Sequence, residues 1–148
     1  MDYKPLVKKL AGVTCGHRRL IRQAASQAGL YYGQPPMLEY IDAHKNCSQT
    51  ALAEALDISP ASVATSLRRL EKAGYVRRTP DKTDSRKNRL ALTKVGADAL
   101  KRFHGCCGDI DRAVFGGFSD ADCAALTALL DRMAQNLAAG ETEGCDDV

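Results

Sequence analysis

From residue 6 onward Leu6, Leu10, Val13, His17, Leu20 and Ala24 step by three or four, the spacing that places side chains on one face of an α-helix. The pattern predicts a first helix over residues 4–28. Gly29 and Gly33 end it. Pro35 and Pro36 then open a second helix reaching about residue 44, because proline is tolerated in a first turn whose N–H groups have no helical partner. Ser48 reads as the N-cap of a third helix ending near residue 56, and Ser59 before Pro60 starts a fourth that runs to Ala73 and stops at Gly74. Residues 75–79 and 88–92 predict two short strands, joined by the polar stretch 80–87 into a hairpin with a long charged loop. Thr93 caps a fifth helix, interrupted by Gly105-Cys106-Cys107-Gly108 and ended by Gly116 and Gly117. Ser119 with Asp122 gives a capping-box-like start to a sixth, along which Cys123, Leu126, Leu130, Met133 and Leu137 repeat by three or four.

The expected fold class is therefore mainly α with one small β-hairpin. With 148 residues, 45% hydrophobic and 26% charged, the chain fits one globular domain at roughly 100–200 residues each. A chain of this size buries roughly 68–70% of its unfolded surface, so neither a disulfide nor a structural metal is required. The six cysteines show no C-x-x-C pair and read mostly as small buried hydrophobes. No run approaches the roughly 18 apolar residues of a membrane span, and the first residues lack the apolar stretch of a signal peptide. The expectation is a cytoplasmic protein with no membrane partner, ending in an acidic flexible tail over residues 140–148.

Net charge is only +3, but the total hides a division along the chain. Residues 68–102 carry +8 and residues 1–30 carry +5, whereas 31–67 carry −3 and 103–148 carry −7. So dense a basic block inside a folded segment points to a polyanion.

Residues 49–69 have the spacing of a helix-turn-helix. Ala53 is small where two helices must approach, Ile58 plugs the turn, and Val63, Leu67 and Leu70 share one side of the fourth helix. Opposite lie Ala61, Ser62, Thr65, Arg68, Arg69 and Lys72. Small residues near the start of a helix let it sit deep in a major groove, where arginine donates twice to guanine and hydroxyls reach bases or phosphate. The hairpin adds Arg77, Arg78, Lys82, Arg86, Lys87 and Arg89, with Asp81 and Asp84 among them. An arginine at a loop tip suits the narrow, strongly negative minor groove, and a carboxylate beside it can orient the guanidinium beforehand.

On these residues the chain resembles the MarR family of winged helix-turn-helix regulators. The resemblance is carried by Cys47-Ser48-Gln49-Thr50-Ala51-Leu52-Ala53, Ser59-Pro60-Ala61-Ser62-Val63, Leu70-Glu71-Lys72-Ala73-Gly74-Tyr75-Val76 and Asp81-Lys82-Thr83-Asp84-Ser85-Arg86, followed by Leu92-Thr93 and Gly96. It is dense over residues 34–98. It implies one family domain over 1–139, with 34–98 as a DNA-binding core and helices over 4–28 and 99–139 as a homodimerisation module. The implied function is a sequence-specific transcriptional regulator, a repressor released by a small effector, on a pseudo-palindromic double-stranded operator. The residues placed at DNA are Ser48, Gln49, Thr50, Ser59, Ala61, Ser62, Thr65, Arg68, Arg69 and Lys72, with Arg78, Lys82, Asp84, Arg86 and Lys87 from the hairpin. One departure is Asp57, where the family often has glycine; aspartate tolerates left-handed backbone, so the turn should survive.

Other chemistries fit less well. His17, His44 and His104 stand outside any H-E-x-x-H, G-x-S-x-G or phosphate-loop context, so no enzyme and no cofactor is expected. His44 with Cys47, and His104 with Cys106 and Cys107, lack zinc-ligand spacing, so no metal is expected either. Cys15 is the redox candidate, because some peroxide-sensing members of the family place a reactive thiol in the first helix and His17, Arg18 and Arg19 lie near it. His17, however, is at i+2, off the neighbouring helical positions. A redox-sensing regulator and a protein-binding winged helix remain the alternative readings. The family's crevice for a small anionic or aromatic effector is assigned to His17, Arg18 and Arg22.

Overall fold

The computed structural model describes residues 1–81 and 88–143. The elements in order are α1 (Lys4–Gln27), α2 (Gln34–Ala43), β1 (Cys47–Ser48), α3 (Gln49–Ala55), α4 (Pro60–Lys72), β2 (Val76–Pro80), β3 (Asn88–Leu92), α5 (Lys94–Phe115) and α6 (Asp120–Glu143). The chain divides into two compact units, the first covering residues 1–110. Its core gathers Met37, Leu38 and Ile41 of α2, Leu52 of α3, Val63, Leu67 and Leu70 of α4, Leu90 of β3, and Leu100 and Phe103 of α5.

The three strands pair antiparallel in the order β1-β3-β2, with Cys47 opposite Leu90 and Val76 opposite Leu92. Pro80, which has no N–H to donate, ends the edge strand β2, where that loss costs least. The expected hairpin is thus present with a third strand added. A two-residue strand has too few positions to show a period of two, and its partner lies more than 40 residues downstream.

Four caps fix the helix starts. Ser48 Oγ accepts the Ala51 N–H at 3.1 Å, Ser59 Oγ accepts the Ser62 N–H at 3.2 Å, Thr93 Oγ1 accepts the Gly96 N–H at 3.0 Å, and Ser119 Oγ accepts the Asp122 N–H at 3.2 Å. Each satisfies a backbone donor that a helix end leaves without a partner. Asp57 does adopt the left-handed conformation, at φ +50°.

Two expectations change. The fifth helix runs unbroken through residues 105–108. Each helical glycine costs about 1 kcal/mol relative to alanine, but Cys106, Cys107 and Ile110 pack against the core beside Phe103, and that burial outweighs propensity. At the other end, α6 continues to Glu143, four residues into the stretch read as tail; residues 144–148 lie outside the described residues.

The apolar stripe of α1 is covered only toward its C-terminal end. Ala24, Ala25 and Ala28 are buried, while Leu6, Val7, Leu10 and Val13 are exposed. In the second unit, α6 likewise leaves Leu129, Leu130, Met133 and Leu137 exposed. Among the described residues no single helix is long and apolar enough to cross a membrane.

Candidate nucleic-acid interface

Local sequence builds the face of α4. Ser59 and Pro60 fix its start, Val63, Leu67 and Leu70 turn inward, and Ala61, Ser62, Thr65, Arg68, Arg69 and Lys72 are all exposed together on the opposite side. Ser59 also donates its hydroxyl to Ser62 Oγ at 2.8 Å, and Thr65 Oγ1 donates to the Ala61 carbonyl at 3.0 Å. These local bonds engage the hydroxyls within the helix. Arg68 folds back so that Nε donates to the Ala64 carbonyl at 3.4 Å. The result is a helix start with small residues followed by a cationic end, the gradient needed to enter a groove and grip its phosphate walls.

Ser48, Gln49 and Thr50 open α3, where Thr50 is exposed and the other two are half-buried. Gln49 has a second task. Arg78 of β2 donates from Nη1 to Gln49 Oε1 at 3.0 Å and from Nε to Glu71 Oε1 at 2.8 Å. The expected DNA residues Arg78 and Gln49 are therefore joined in a brace that ties α3, the end of α4 and the wing strand together. Local periodicity gives no sign of it, since the partners stand 29 residues apart.

At the foot of the wing the Arg89 guanidinium pairs with the buried Asp81 carboxylate, and Arg89 Nη1 donates to the Asn46 carbonyl at 3.3 Å. Asn46 holds a left-handed φ of +62° just before β1. Lys82, Asp84, Arg86 and Lys87, expected at the wing tip, lie outside the described residues.

Sequence reading missed an aromatic pair. Tyr31 and Tyr32, between α1 and α2, are each capped by a guanidinium: Arg69 Cζ lies 5.8 Å from the Tyr31 ring centre and Arg22 Cζ lies 4.8 Å from that of Tyr32. Two adjacent tyrosines were a visible signal, but their partners are distant in sequence.

His17, Arg18 and Arg22 are all exposed on α1. A shallow cavity of about 220 Å³ is lined instead by Leu20, Gln23, Ala24 and Gln27 of α1 with Cys106, Asp109 and Ile110 of α5. His104 Nε2 meets Glu39 Oε1 at 2.8 Å, and His44 stacks on Tyr40 at 4.1 Å between ring centres. Cys15 is exposed and Cys47 is buried. Burial pushes the Cys47 thiol pKa up, against smaller opposing effects of a backbone hydrogen bond and the Arg89 guanidinium.

With this geometry in place, the likenesses to known proteins are informative. Residues 28–87 match the MarR family. A Thauera aromatica protein assigned to transcriptional regulation of the hcr operon is 30% identical over 122 residues, which cover 82% of this chain and 74% of that protein. Among solved structures, Bacillus subtilis YusO aligns with a TM-score of 0.79 at 17% identity, covering 89% of this chain and 94% of that one. A cysteine-to-serine mutant of E. coli MarR, complexed with operator DNA, aligns with a TM-score of 0.70 at 24% identity, covering 87% and 93%. Sequence and fold agree: the chain belongs to the MarR family of winged helix-turn-helix transcriptional regulators.

Proposed function

We propose that this chain is a homodimeric, sequence-specific DNA-binding repressor that a small effector releases from its operator. The observation that carries the reading is the outer face of α4, where Ala61, Ser62 and Thr65 precede three exposed cations, Arg68, Arg69 and Lys72. The complex of the E. coli MarR mutant with operator DNA supports applying that face to a duplex. The exposed stripe of α1, Leu6, Val7, Leu10 and Val13, supports a second copy as the partner in a dimer. Two-fold symmetry then presents two equivalent helices to half-sites about 10 base pairs apart, so the operator is pseudo-palindromic.

A salt titration tests the reading. Each neutralised phosphate contributes about −0.9 to the slope of log K against log salt, so six outward cations in two protomers give a slope near −5. A flat titration would favour a protein partner for the same face, and a footprint confined to a single half-site would contradict the dimer. For the effector, His17 with Arg18 and Arg22 supplies exposed cationic and imidazole groups on one helix. A ligand acts only through unequal affinity for DNA-competent and DNA-incompetent states. His17→Ala should therefore leave operator binding intact and blunt release by an anionic aromatic such as salicylate. Loss of the dimer in that variant would make His17 structural and remove it from the effector site.

A further inference from the structure

The segment 29–33 is tied to its surroundings by hydrogen bonds and yet displays two large rings. Gly29 and Gly33 have φ of +80° and +93°, conformations that side chains rarely adopt. Tyr75 Oη donates to the Gly29 carbonyl at 3.1 Å, and the Tyr31 N–H donates to Oε1 of the buried Gln34 at 2.9 Å. Tyr31 is nevertheless 67% exposed and Tyr32 57%. Rings that bury so little contribute little to the core.

We infer that Tyr31 is a positioning residue for Arg69, holding the guanidinium over its ring in the orientation from which it meets DNA. This rests on the reading of α4 as the DNA-contacting helix. Carboxylates and rings hold arginines differently. Arg78 and Arg89 are paired with carboxylates, Glu71 and Asp81, which offset their charge and occupy their N–H donors. Arg69 has no carboxylate partner among the described residues, and its guanidinium lies 5.8 Å from the Tyr31 ring centre. A ring attracts a cation through its quadrupole while adding no net charge. The guanidinium edge, with its fork of donors, stays available for a phosphate or a guanine. An arginine side chain carries about 2 kcal/mol of rotamer entropy, and restricting it before DNA arrives lowers the cost of ordering it on binding. Such a device works only if the ring is fixed, and the bonds at Gly29 and Gln34 fix the segment that bears it.

The test uses the full-length protein and an operator duplex selected in vitro against wild type, at one salt concentration. A cation–π contact at an exposed site corresponds to about a two- to fivefold change in affinity. Tyr31→Leu should weaken operator binding by that factor, and Tyr31→Phe, which keeps the ring, should bind as wild type does. In an Arg69→Ala background Tyr31→Leu should cost nothing further, because the residue it positions is gone. All four variants should melt with wild type, since both side chains are exposed. Equal cost of Tyr31→Leu in both backgrounds would overturn the inference by making Tyr31 a direct contact. If Arg69→Ala weakens binding and Tyr31→Leu does not, positioning fails while the DNA reading stands. If Arg69→Ala binds as wild type does, Arg69 is not at the DNA and the inference falls with it.

Discussion

Gly96, three residues past the Thr93 cap of α5, is where helix propensity and packing make opposite demands. Propensity favours alanine there by up to about 1 kcal/mol. A Cβ at this position, however, would come 2.0 Å from the Tyr75 carbonyl oxygen, 2.8 Å from its carbon and 3.0 Å from Tyr75 Cα. All three are main-chain atoms, so no side chain can swing aside, and α5 must separate from residue 75 by about an ångström. That movement strains the bond from the Thr93 N–H to the Tyr75 carbonyl, 3.0 Å, and the cap from the Gly96 N–H to Thr93 Oγ1, 3.0 Å. Overpacking costs about 1–3 kcal/mol and each weakened hydrogen bond about 1 kcal/mol, so Gly96→Ala should destabilise the fold by about 3 kcal/mol net of propensity. For a chain of this size that lowers Tm by roughly 6–12 °C. Gly105→Ala is the control: it lies in the same helix with nothing within 4 Å of its Cβ, so propensity acts alone and Tm should rise by about 2–4 °C. Thermal melts at one protomer concentration, so that association does not shift the midpoint, decide between the two effects. A Gly96→Ala protein melting at or above wild type would refute the packing argument.

Two ionisable groups give further expectations. Asp122 accepts the Ser119 hydroxyl at 2.6 Å and the Ser119 N–H at 3.0 Å, and these bonds, the hydroxyl's first, lower its pKa. A lowered folded pKa gives a contribution that is present above the ordinary value near about 3.9 and lost as pH falls through the folded value. The start of α6 should therefore loosen only in acid, and Ser119→Ala should raise the Asp122 midpoint in a carboxyl NMR titration; an unmoved midpoint would count against the cap. Because the thiolate is the reacting species, the buried Cys47, with its raised pKa, should alkylate more slowly than the exposed Cys15 in native protein. Equal rates by peptide mapping would show that the strand β1 opens readily.

What the sequence revealed was local. Ser48, Ser59, Thr93 and Ser119 announce helix starts because each cap acts on a residue three positions on. Asp57 could be placed in a left-handed turn because that preference belongs to the residue itself. Interactions between distant residues were not legible. Propensity alone breaks α5 at residues 105–108, where packing of Cys106, Cys107 and Ile110 keeps it whole. The brace through Gln49, Glu71 and Arg78, and the ring beneath Arg69, join side chains that no periodicity relates. Thus the outward face of α4 was readable as a list of residues, but not which of its neighbours are already engaged.

A separate set of ties meets at Tyr75. Its N–H donates to the Leu70 carbonyl at the end of α4, its carbonyl accepts from Thr93 at the start of α5, its hydroxyl reaches Gly29, and its main chain lies against Gly96. Apolar burial is non-directional and tolerates sliding, whereas hydrogen bonds weaken steeply with misalignment. Through one residue's polar atoms the fold thus links the segment 29–33, the end of α4 and the root of the wing. Apolar burial alone sets no such directional constraint on α4. Sliding or rotating α4 would strain the bonds at Tyr75, which tie the segment bearing Tyr31 to the end of the helix that bears Arg69.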